Sequence, residues 1–97
     1  MFVVLLRFSS NKGQASELMR GHNAWIKRGF DDGVFLLTGS LQPKLGGAVL
    51  VHNTSLSDLQ ARLSDDPFVV GKVVSAEILE ITSAQTSDRL DFLRADG

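Results

Sequence analysis

Phe2-Val3-Val4-Leu5-Leu6-Arg7-Phe8 is a nearly unbroken apolar run of strand length. Alternation along a strand sends Phe2, Val4, Leu6 and Phe8 to one face and Val3, Leu5 and Arg7 to the other. An antiparallel sheet with one wet face alternates apolar with polar residues. Here both faces carry aliphatics, so the sheet that this strand joins needs cover on both sides.

Working outward, Ser9-Ser10-Asn11 offers N-caps for a helix. Its apolar positions are Ala15, Leu18, Met19, Trp25, Ile26 and Phe30. That is the spacing of an amphipathic helix. Asp31-Asp32-Gly33 ends it, and Val34 to Thr38 reads as a second strand. Gly39 to Gly46 reads as a loop around Pro43, and Gly47 to His52 as a third strand. Thr54 or Ser55 can cap a second helix through Leu56, Leu59 and Leu63. Pro67 stops it, since the residue before a proline is pushed out of the helical region. Val73 to Ile81 is the last strand. The order β-α-β-β-α-β is that of the ferredoxin-like α+β folds: a four-stranded antiparallel sheet with two helices on one face. No segment remains that is long enough to cover the other face, so a second copy, packed sheet to sheet as a homodimer, is the expected cover. Residues 1–82 make the domain and 83–97 a tail. In the tail, Leu90 and Leu93 leave a choice between a short helix docked on the partner subunit and a frayed end.

Composition narrows the function classes. The chain has 97 residues, formal charge −1, ten basic and eleven acidic side chains, and no cysteine. One domain of common size is expected. The charges are dispersed, which argues against nucleic acid as a partner. No stretch approaches the ~20 apolar residues of a membrane span. The Phe2–Leu6 run lacks the basic flank and the cleavage site of a signal peptide, so the cytoplasm is the expected location. Without cysteine there are no thiolate nucleophiles, disulfides or Cys-ligated metals.

Two residues stand out for chemistry. His22 lies four residues after Leu18 and four before Ile26, inside the apolar stripe. Gly21 before it costs about 1 kcal/mol relative to alanine, which a helix tolerates where something approaches its backbone closely. A histidine there can act as general acid or base, or can be a core residue satisfied by a carbonyl. Asp66, before Pro67, can cap a one-turn helix, or can orient a histidine and stabilise its cationic form. Asp65 is its rival. Ser40 and Arg7 are candidates for substrate contacts, Ser40 as a donor at a strand end and Arg7 as the one charge in an apolar strand. His52 could be a second imidazole, Lys44 reads as a solvated loop residue, and Trp25 as core. Two histidines without a carboxylate cluster do not make a metal site. The glycines match no phosphate-binding spacing, so no cofactor is expected.

Arg20-Gly21-His22, Gly33-Val34-Phe35-Leu36-Leu37-Thr38-Gly39 and Asp66-Pro67-Phe68-Val69-Val70-Gly71, in that order, resemble the YciI-like (YCII-related) family over Met1 to Ile81. The resemblance implies a dimeric α+β barrel and a His-Asp active site falling on His22 and Asp66, with Ser40 as counterpart of a serine near the pocket. Neighbouring families include muconolactone isomerases, small monooxygenases and haem-binding degraders. The leading expectation is a cofactor-independent small-molecule enzyme of lyase or isomerase type, with His22 moving a proton and Asp66 orienting it. The alternative is a non-catalytic ligand-binding or assembly module of the same fold. A haem- or flavin-dependent oxygenase ranks third.

Overall fold

β1 (Phe2–Phe8) is hydrogen-bonded along both edges and sits inside the sheet. The computed structural model describes residues 1–94. Its other strands are β2 (Phe35–Leu41), β3 (Gly46–Val51) and β4 (Val74–Glu80), in the antiparallel order β2-β3-β1-β4. The helices are α1 (Ala15–Asp31), α2 (Leu56–Leu63) and the one-turn α3 (Pro67–Val70). The expected α+β, ferredoxin-like βαββαβ fold is therefore the observed one. Among the described residues no helix is long and apolar enough to cross a membrane.

Register assigns the faces. Phe35, Val51 and Phe2 lie side by side, then Thr38, Val49, Val4 and Ile78, then Ser40, Gly47, Leu6 and Ala76. These rows face the helices, and their large apolar members join Trp25 of α1, Leu59 and Leu63 of α2 and Phe68 of α3 in one core. Trp25 is 1% exposed, and its Nε1–H donates to the Arg62 carbonyl at 2.8 Å, tying α1 to the end of α2.

Several local expectations change. Ser9-Ser10-Asn11 does not cap α1. A 3-10 turn over Lys12–Gln14 intervenes, and α1 starts without a side-chain cap. The Asn11 side chain instead donates to the Gly71 carbonyl at 2.9 Å, pinning the β1–α1 connection to the end of α3. The Gly39–Gly46 loop shrinks to residues 42–45, because β2 runs on to Leu41 and β3 begins at Gly46. Ser55, not Thr54, caps α2, accepting the Asp58 N–H at 3.1 Å. Met19 and Phe30 belong to the apolar stripe of α1 yet are 41% and 43% exposed. Met19 borders a cavity and Phe30 lies edge-on to Phe35. In the tail, Asp88–Leu93 forms a 3-10 helix whose Phe92 ring meets His52 of the same chain at 5.5 Å. Residues 95–97 of the expected tail lie outside the described residues.

Gly29 explains how α1 comes so close to the sheet. A methyl group there would overlap the ring of Phe35, itself 4% exposed and edge-on to Trp25. Gly29→Ala gains about 1 kcal/mol in helix propensity but overpacks the core by about 1–3 kcal/mol. The expected net loss is about 1 kcal/mol, seen as a lower urea midpoint at unchanged slope. A variant as stable as the parent would show that Phe35 has room to turn.

Candidate active site

α1 and α3 deliver the two central side chains to one place. His22 projects from the buried stripe of α1 and is 9% exposed. Asp66 precedes Pro67 in extended conformation (φ −72°, ψ 120°) and is fully buried. Its Oδ1 accepts the Phe68 N–H at 3.0 Å, which caps α3. The same oxygen lies 2.8 Å from His22 Nδ1. The two roles open for Asp66 in the sequence, cap and histidine partner, are both filled by one atom. Asp65 is exposed and makes no contact with His22 among the described residues.

Gly21 makes the meeting feasible. A Cβ on it would lie 2.9 Å from Cγ of Pro67, a ring atom with little freedom to move. The close approach expected at this glycine is therefore Pro67, the first residue of α3. Phe68, the next residue, stacks on the imidazole with centroids 3.9 Å apart and planes 4° from parallel. Trp25 lies further out at 5.9 Å. The histidine is held along its edge by a carboxylate and across its face by a ring.

That contact assigns the tautomer. An ionised carboxylate only accepts, so Nδ1 carries the hydrogen and the neutral ring keeps its lone pair on Nε2. Nε2 makes no hydrogen bond among the described residues. Asp66 Oδ2 is buried and likewise without a partner among them.

His22 borders a cavity of about 310 Å³ between α1 and the end of the sheet. The cavity forms where the helix-facing row becomes small. Thr38, Val49, Val4 and Ile78 fill their row, whereas Ser40 and Gly47 in the next leave space beside Leu6. Phe8, Met19, Ile26 and Phe68 supply apolar walls. Asn23, Thr38 and Ser40 are the polar members, and their side chains form no hydrogen bond among the described residues. The volume falls at the lower end of the range for small-molecule sites.

Ser40 thus shares the cavity with His22, as a strand residue rather than a loop residue. Arg7 does not line it. Strand alternation turns Arg7 to the opposite face of the sheet, where its half-exposed guanidinium lies 3.8 Å from Glu77. His52 packs on Phe92, outside the His22 cavity. Among the described residues no group of three or more His, Cys, Asp or Glu side chains could hold a metal. Asn23 and Thr38 escaped the sequence reading. Thr38 could have been found as the residue two before Ser40, on the same strand face. Phe68 read only as part of a motif, and its stacking needed the third dimension.

The fold and its helix-facing cavity define a ferredoxin-like α+β protein with a small-molecule-sized site. No family model matches the chain, and no curated protein matches it in sequence. Among solved structures it is similar to 5-chloro-2-hydroxyhydroquinone dehydrochlorinase from Burkholderia phenoliruptrix, solved in complex with 2,5-dihydroxybenzoquinone. The TM-score is 0.68 at 10% identity, covering 87% of this chain and 96% of that one. At that identity the likeness concerns the fold.

Asp66→Ala removes the cap of α3 and the acceptor of a buried imidazole together. The expected loss is about 3 kcal/mol in urea unfolding. In the parent protein, heteronuclear NMR of neutral His22 should show the hydrogen on Nδ1. An Nε2–H tautomer would disprove the contact as drawn.

Proposed function

We propose that this chain is a small-molecule enzyme of lyase or isomerase type that uses His22 as general acid and base, without a cofactor. The observation behind the proposal is the 2.8 Å contact from His22 Nδ1 to the buried Asp66, on a histidine that borders the cavity. Asp66 would fix the tautomer and balance the charge of the imidazolium once Nε2 has taken a proton from an activated C–H or O–H. Thr38 or Ser40 would donate to an oxygen that gains negative charge. The flat imidazole–Phe68 stack and the apolar walls suit an oxygenated ring. The structural neighbour is named as a dehydrochlorinase and holds an oxygenated ring compound, which supports the same class here. With Ser40 in the cavity, the site also agrees with the YciI-like resemblance.

The enzyme would work as a homodimer, with the outer sheet faces packed together. On that face Leu37, Leu50, Val3 and Leu79 align across all four strands. Leu37 is 52% and Leu79 44% exposed in a single copy. A continuous apolar row of this kind marks an assembly surface.

Proton transfer can be read without knowing the natural substrate. Enolisable ring ketones and hydroxyquinones incubated in heavy water should gain deuterium in the presence of the protein, followed by proton NMR. His22→Gln should slow this by a factor of about 10²–10⁴. Asp66→Asn should slow it as well, because an amide can present the wrong group to Nδ1. Exchange by His22→Gln at the parental rate would overturn the reading, and binding without exchange would favour the ligand-binding module. For the assembly, sedimentation should give twice the chain mass, with Leu50→Glu reducing it to one chain. A monomeric parent would refute the dimer.

A further inference from the structure

A second cleft, of about 410 Å³, opens beside the His22 cavity and shares Phe8, Ser40 and Gly46 with it. Its remaining lining is Lys12, Gln42 and Lys44. Lys12 comes from the 3-10 turn ahead of α1 and Lys44 from the β2–β3 connection, so two distant parts of the chain bring lysines to the lining of one opening. Neither lysine forms an ion pair among the described residues. The Lys12 ammonium lies 4.8 Å from the centre of the Phe8 ring, and Phe8 walls both spaces. Among the described residues no acidic side chain lines either the cavity or the cleft. The deeper space is thus apolar with neutral polar groups, and the outer one is cationic.

We infer that the molecule acted on has two parts: a ring that enters the cavity beside His22, and an anionic group, in the simplest case a carboxylate, that Lys12 and Lys44 hold in the adjoining cleft. The inference rests on the proposed His22 site and adds the class of its substrate. An unpaired ammonium attracts a carboxylate through charge-assisted hydrogen bonds. Two lysines at an opening also raise the local concentration of anions before docking. The neutral cavity explains the other half, because a charge placed there would lose its water without gaining a counter-ion.

The test uses paired probes on the full chain, followed by heteronuclear NMR at low salt: para-hydroxybenzoate with phenol, para-hydroxyphenylacetate with para-cresol, and para-hydroxyphenylpropionate with para-ethylphenol. In at least one pair the acid should bind about tenfold tighter than its neutral partner, moving the resonances of His22, Lys12 and Lys44 together. Added salt should weaken the acid and spare the neutral compound. In Lys12→Gln/Lys44→Gln, the acid should fall to the affinity of its partner while the neutral compound still moves His22. If the two members of every pair bind alike, or the acid's advantage survives the double substitution, the anion subsite is overturned and the His22 site stands. Acids that move the lysines but leave His22 unmoved overturn it too, by showing an anion site unconnected with the cavity. If no compound moves His22, the underlying site reading falls as well.

Discussion

The helical side of this molecule depends on one atom, Oδ1 of Asp66. It accepts the N–H that starts α3 and the N–H of the imidazole on α1. A carboxylate this deeply buried is costly unless hydrogen-bonded. Pro67 helps, because the first helical position then brings no N–H that would compete for the carboxylate. The same ring rests on Gly21, so the spacing of the two helices and the reach from His22 to Asp66 are one constraint. Gly21, His22, Asp66 and Pro67 behave as a unit, in which a change at one position alters the geometry of the others. The cavity inherits that rigidity, since the imidazole bordering it is held along its edge and over its face.

The sheet divides two tasks between its faces. Towards the helices, large side chains fill two rows and then give way to Ser40 and Gly47. The site arises by deletion: space appears where side chains are missing, and the fold needs no extra loop to make it. On the other face the apolar row from Leu37 to Leu79 lies towards one end, and the Arg7–Glu77 pair occupies the neighbouring rows. A strand that is apolar on both faces serves a core and an outer surface at once. Arg7 belongs to the outer surface.

Much of this was legible in the sequence, and the physical reason differs by element. Strand and helix order followed from periodicity, which burial enforces along any regular element. His22 was legible because a histidine in an apolar stripe is anomalous, and Gly21 because a mid-helix glycine needs a cause. Other features depend on partners far along the chain. Asn11 read as a cap because its nearest neighbours suggested one, but the Gly71 carbonyl, 60 residues away, takes its side chain. Gly29 carried no signal until Phe35 was placed against it. Ser40 was hard to place, since a Gly39-Ser40 step shortly before Pro43 looks like a loop until cross-strand register pairs Ser40 with Gly47. Arg7 was singled out as an anomaly and placed on the face it occupies, but strand alternation says which residues share a side and not which side holds the cavity, so its distance from the His22 cavity was not legible.

The distribution of charge constrains the chemistry proposed for the cavity. With Arg7 on the outer face, no lysine or arginine among the described residues lines the space beside His22, and the donors there are the neutral groups of Asn23, Thr38 and Ser40. Neutral donors are weaker than charged ones, so they suit an anion whose charge is spread over several atoms. An enolate conjugated with an oxygenated ring is such a species, whereas a localised alkoxide would need a stronger partner. In the proposed reaction the positive charge would be the imidazolium itself, formed between the developing anion and Asp66. Its attraction to the enolate would vanish when the proton is returned, which would favour release of the reprotonated ring. On this argument the carboxylate behind His22 would do more than orient the ring: it would balance the imidazolium from the side away from the developing anion.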